Sequence, residues 1–218
     1  CAATMKQFAN ITVIGRDRTG VIAEVTNLLF EQGANIEALE EQVTRGQFSM
    51  ALQASWKAKD WRPNQVRAGL DALARTLDME IRLRYAEPSR LQRCAIMVTR
   101  EPHCLEVLLS AFAADQLKAE PVLVVGNRRD LEPLARHHRL PFRYVPWNDR
   151  SKAEARVLRE FDEQHIDFVV LARFMKILSP NFVWRFKNKI INIHPSLLPS
   201  FPGPQAYRQA YEHGVKIV

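Results

Sequence analysis

Asn192 and His194 stand two residues apart in the stretch Lys189-Ile-Ile-Asn-Ile-His-Pro-Ser-Leu-Leu-Pro199. Residues two apart on a strand project to the same side, so a carboxamide and an imidazole share one face. That pair suits a carbonyl reaction. The amide N–H can stabilise an oxyanion, and the imidazole can move a proton near neutral pH. Ile190, Ile191 and Ile193 form a β-branched run that predicts a buried strand. Pro195 has no N–H for a ladder, so the strand stops at His194. The pair therefore sits at a carboxyl strand end, where open α/β sheets bind ligands. An isolated Asn-x-His-Pro serves more often as a strand end packed on a loop, so the surrounding string has to decide.

The elements that must position this pair alternate. Strands are predicted at 93–99, 121–126, 142–145, 167–171 and 190–193, with a further strand starting at 215. Helices are predicted between them: one carrying Leu105, Leu108, Leu109 and Phe112, then 130–138, 152–164, 182–186 and 205–212. This alternation argues a doubly wound, mostly parallel, Rossmann-like sheet. Pro102 suits the first position of a helix, which places His103 in a first turn rather than in a site.

The first part of the chain reads differently. A strand at 8–14 meets the turn Gly15-Arg-Asp-Arg-Thr-Gly20, with Thr19 as helix cap. Val21, Val25, Leu28 and Leu29 recur at helical spacing, and Gly33 ends the helix. Two strands, 36–44 and 48–56, flank Arg45-Gly46-Gln47 as a hairpin. A second helix carries Val66, Leu70, Leu73 and Leu77, and a half-buried strand covers 79–85. The order βαββαβ is ferredoxin-like. The expected organisation is a domain at 8–85, a polar linker at 86–92 containing Pro88, and a second domain at 93–218.

The string Asn192-Ile-His-Pro-Ser-Leu-Leu-Pro-Ser-Phe-Pro-Gly203 resembles the active-site segment of the formyltransferase family that uses 10-formyltetrahydrofolate. Leu171-Ala-Arg-Phe-Met-Lys-Ile-Leu-Ser179 is similar to that family's folate strand and loop. The resemblance implies that Asn192 and His194 are catalytic. It also implies that Phe174, Met175, Lys176, Ile177 and Leu178 form the folate pocket, with Leu197 and Pro199 walling it. An Asp on the following strand and loop is implied as a third catalytic residue. Nothing up to Val218 matches it, so the C-terminal part of the fold is expected to lie beyond this sequence. No tightly bound cofactor is implied; 10-formyltetrahydrofolate is the substrate.

Transferases of that family carry a Gly-rich phosphate turn after the first strand. Here the turn is Thr99-Arg-Glu-Pro-His-Cys104, with no Gly and with Glu101 to repel an anion. Water becomes the expected acceptor, so the products are formate and tetrahydrofolate. The alternatives are formyl transfer to an amine, or a non-catalytic sensor if the chain ends at Val218.

Gly15-Arg-Asp-Arg-Thr-Gly-Val-Ile-Ala-Glu-Val25 and Gly33-Ala-Asn-Ile36 resemble the ACT family of small-molecule sensor domains. That resemblance implies Asp17, Arg18 and Gly20 as effector residues for an amino acid such as Gly or Met, and a homo-oligomer. A turn that only supports assembly is the alternative.

The 47% hydrophobic and 25% charged composition is that of a globular chain. No apolar run approaches the ~20 residues of a bilayer span, and no signal segment is visible. Three scattered cysteines, Cys1, Cys94 and Cys104, have no metal spacing and fit reduced thiols in cytoplasm. The net charge of +7 gathers partly between Arg128 and Arg150. No nucleic-acid motif accompanies it, so neither nucleic acid nor membrane is an expected partner.

Overall fold

A computed structural model describes residues 6–87, 90–192, 208–209 and 212–213. The chain forms two compact units. One holds the residues up to Leu91 together with Leu178–Asn188; the other holds Gln92–Ile177 and the chain from Lys189.

The first unit contains β1 (Lys6–Arg16), α1 (Val21–Glu31), β2 (Asn35–Thr44), β3 (Gln47–Lys57), α2 (Pro63–Leu77) and β4 (Glu80–Tyr85). Its antiparallel sheet has the order β2-β3-β1-β4, which is ferredoxin-like. Alternation along the strands sends Ala9, Ile11 and Val13 of β1 and Met50, Leu52, Ala54 and Trp56 of β3 into one core. Val21, Val25 and Leu29 of α1 and Val66 and Leu70 of α2 complete it. The hairpin turn is Arg45-Gly46, both at positive φ (52° and 77°), the twist that a two-residue turn demands. Two local expectations are corrected. The residue capping α1 is Gly20 at φ 92°, not Thr19, and no side chain caps that helix. Pro102 stands one residue before the following unit's first helix rather than at its first position.

The opposite face of this sheet is covered by a segment whose destination the sequence did not show. Helix α6 (Pro180–Arg185) packs on β1 and β3. Ile14 is in register with both Ser49 and Glu80, so the three share that face. Arg185 pairs with Glu80, and Gln47 donates to Asn181 at 2.5 Å. Lys187 reaches Glu40 at 2.9 Å, and Arg84 lies over the Phe186 ring. Phe182, Trp184 and Phe186 are buried. The expected second domain runs unbroken from 93, whereas 178–188 belongs by packing with the first unit.

The second unit contains β5 (Gln92–Val98), α3 (His103–Ala113), β6 (Ala119–Gly126), α4 (Glu132–His137), β7 (Phe142–Tyr144), α5 (Arg150–Glu163), β8 (Phe168–Ala172) and β9 (Ile190–Asn192). Every pairing is parallel, in the order β7-β6-β5-β8-β9. Cys94, Ile96 and Val98 of β5 form a core with Leu105 and Leu109 of α3 and Val170 of β8. The chain turns back at β5, making β5/β8 the switch point where such sheets take ligands. The isoleucine run predicted a buried strand at β9. Instead, Ile190 is half-buried and Ile191 is 56% exposed, because among the described residues β9 pairs with β8 alone.

Candidate active site

Asn192 is the last residue of β9, exposed, and in register with Leu171 of β8. It therefore stands at the carboxyl edge of the parallel sheet. His194, Leu197 and Pro199 lie outside the described residues. The expected same-side relation of Asn192 and His194 falls with them.

The folate string follows β8 at the same edge. Arg173 takes a left-handed conformation at φ 54°, which turns the chain out of the strand. Phe174 is buried and meets Trp147 edge-on, with ring centroids 5.0 Å apart. The Met175 N–H donates to Thr99 Oγ1 at 3.0 Å, fixing this loop to the end of β5. Met175, Lys176 and Ile177 are exposed, Ile177 at 80%. They offer backbone groups and apolar side chains beside the strand end, the mixture a flat heteroaromatic ring requires. Leu178 belongs to the segment that packs with the first unit.

Several tempting residues have structural duties. His103 is exposed at the start of α3. Asp149 caps α5 by accepting from the Lys152 N–H. Asp167 accepts from the Arg93 N–H at 2.8 Å. In the arginine cluster, Arg129 and Arg136 both pair with Glu132, and Arg143 pairs with Glu160. Cys94 is buried in β5, and burial, reinforced by Glu120, pushes its thiol up to about 12. Among the described residues no cluster of His, Cys, Asp or Glu is arranged to hold a metal, and no helix is long and apolar enough to cross a membrane.

Sequence reasoning missed three side chains at this edge: Asn127, Trp147 and Arg173. Each follows a predicted strand end, and Arg173 also lies within the folate-like string Leu171–Ser179. Each holds a buried polar atom, Asn127 Oδ1, Trp147 Nε1 and Arg173 Nε, with no hydrogen-bond partner among the described residues.

In the first unit, Asp17, Arg18 and Gly20 line one cavity of about 500 Å³ with Val21, Ile22, Ala23, Glu41, Val43 and Phe48. The Asp17 N–H donates to Gly46 O at 2.9 Å, hooking this turn to the hairpin. The uncapped start of α1 leaves its first N–H groups without a side-chain acceptor.

Residues 92–218 match the formyl transferase family, and residues 7–84 match the ACT domain. A formyltetrahydrofolate deformylase from Bacillus subtilis (strain 168) is 35% identical over 207 residues, covering 93% of this chain and 68% of that protein. The chain belongs to the formyltetrahydrofolate deformylase family. A crystal structure of a formyltetrahydrofolate deformylase from Pseudomonas syringae pv. tomato matches with a TM-score of 0.56 and 30% identity, covering 96% of this chain and 71% of that one. Glycinamide ribonucleotide transformylase 1 from Geobacillus kaustophilus matches with a TM-score of 0.53 and 30% identity, covering 58% of this chain and 70% of that one. The deformylase likeness thus extends over both units, and the transformylase likeness over little more than half the chain.

Proposed function

We propose that this protein hydrolyses 10-formyltetrahydrofolate to formate and tetrahydrofolate. The likeness to deformylases across 93% of the chain carries the reading. The turn after β5 supports water as acceptor. Thr99 Oγ1 already accepts from Met175, Arg100 pairs with Asp130 at 3.6 Å, and no Gly lets backbone close on a phosphate.

In the reaction, water oxygen adds to the formyl carbon and the carbonyl oxygen becomes an oxyanion. The C–N bond then breaks, nitrogen takes a proton, and formic acid loses one. On this reading Asn192 donates an amide N–H to the oxyanion, and His194 takes the proton of the attacking water and returns it to the leaving nitrogen. Phe174, Met175, Lys176, Ile177 and Leu178 hold the folate ring, with Leu197 and Pro199 at its wall. The cavity at Asp17, Arg18 and Gly20 takes an amino-acid effector, whose carboxylate the start of α1 would favour.

Formate release from 10-formyltetrahydrofolate tests the assignment. Asn192→Ala is expected to lose roughly 10²–10³-fold in kcat and His194→Ala roughly 10²–10⁴-fold, each with KM little changed. Turnover retained in His194→Ala rejects its role. Formylated glycinamide ribonucleotide in place of formate would favour the transferase reading, which the fold likeness of the second unit alone supports.

A further inference from the structure

We infer that Arg173, Trp147 and Asn127 line a site for a small planar carboxylate, and that its natural occupant is the formate released by hydrolysis. The inference rests on the hydrolytic reading for the identity of the anion, but not for the existence of the site.

Topology brings the chain at all three residues to the carboxyl edge of one sheet. Asn127 directly follows β6 and is nine-tenths buried. Arg173 directly follows β8. Trp147 lies three residues beyond β7, the outermost strand on that side of the described sheet. Neighbouring strands are ~4.8 Å apart, so β7 and β8 are separated by about 14 Å. Yet the Trp147 ring touches Phe174, the residue after Arg173. The chain beyond β7 and the loop after β8, which Met175 ties to Thr99 at the end of β5, therefore meet over the ends of the strands between them. The Val145 N–H donates to Gly126 O at 2.9 Å, which sets the chain after β7 beside Asn127.

The chemistry of Trp147 and Arg173 then points to an anion. Trp147 Nε1–H and Arg173 Nε–H are donors only, both shielded and both without an acceptor among the described residues. Buried donors are seldom left unmade. A guanidinium keeps its charge at any working pH, and Arg173 has no carboxylate partner among the described residues, whereas Arg129, Arg136 and Arg143 have theirs. A guanidinium edge matches a carboxylate. Asn127 meets a carboxylate only through its amide N–H₂, with the unpaired acceptor Oδ1 turned away from the anion. Register supplies proximity to the reaction: Asn192 is opposite Leu171, two residues before Arg173.

The test titrates the intact protein with sodium formate against sodium chloride at constant ionic strength, following tryptophan fluorescence and melting temperature. Formate is expected to give a saturable change that chloride does not. In Arg173→Gln the formate concentration needed should rise roughly tenfold or more, the loss of a charged hydrogen bond. Arg173→Lys, which keeps the charge and a native-like melt, should fall between. Trp147→Phe should weaken the thermal response similarly. In the hydrolysis assay, product inhibition by formate should weaken in Arg173→Gln by the same factor as direct binding, a correspondence a merely structural role would not produce. Equal responses to formate and chloride in the wild type overturn the site, leaving the donors to water. So does an Arg173→Gln protein that titrates like the wild type. Absence of turnover with an intact formate response would instead sink the hydrolytic reading alone.

Discussion

Single residues in this protein are constrained by neighbours that only the fold supplies. Gly126 ends β6, and a Cβ there would come within 2.6 Å of Arg128 O and 2.3 Å of the Phe142 ring. The ring can move; the carbonyl cannot without bending the chain beside Asn127. Gly126→Ala is expected to cost about 1–3 kcal/mol, read as a lower urea midpoint with unchanged slope. Cys94, with its thiol pushed up to about 12, stays protonated at neutral pH. Ellman's reagent should leave it unmodified in the native protein while the half-buried Cys104 reacts, and both should react in urea. Glu37 accepts from Ser55 at 2.5 Å and pairs with Lys6 at 3.0 Å, and these hydrogen bonds hold its carboxyl at about 2. A depressed carboxyl stabilises the fold above its ordinary range near 4.5 and loses that contribution as the pH falls towards 2. Urea midpoints should therefore drop across that interval, and less steeply in Glu37→Gln. At this scale the sequence placed Asn192 near a strand end, because Pro195, three residues past it, cannot continue a ladder. It did not mark Trp147, because its ring partner Phe174 lies more than twenty residues away.

At the scale of elements, legibility followed periodicity. The hairpin of β2 and β3 and the strands β5 and β6 carry their alternation or apolar runs in plain view. Among the described residues β9 has β8 as its one neighbour and is mostly exposed; β-branched content reports strand preference, not the number of neighbouring strands. Helix α6 was expected, yet its docking face was not. Six residues give too short a period to show which surface receives Phe182, Trp184 and Phe186. Phe186→Ala is expected to cost about 3–5 kcal/mol, with Arg185 and Lys187 left to hold the segment through Glu80 and Glu40. Urea unfolding followed by tryptophan emission should register the loss, since Trp184 lies two residues before Phe186, on α6.

For the molecule as a whole, the charge of +7 meets a substrate that carries glutamate carboxylates. Attraction between exposed charges decays over about 8 Å at physiological ionic strength. kcat/KM should fall with added salt while kcat holds steady; a salt-independent kcat/KM would mean that the net charge plays no part in capture. The cavity at Asp17, Arg18 and Gly20 belongs to this scale too. Calorimetry with Gly and Met should give heat that Asp17→Ala abolishes, and silence from every amino acid would leave the first unit an architectural role.

The excursion of Leu178–Asn188 sets a limit on dissection. Cutting at the linker near residue 91 looks natural on paper, but a fragment beginning at Gln92 would inherit three greasy rings stripped of the surface that shelters them. Such a fragment should bind hydrophobic dye and precipitate, and adding back the separate N-terminal piece should rescue its solubility. The two halves, though cloned apart, would remain stitched by a borrowed thread.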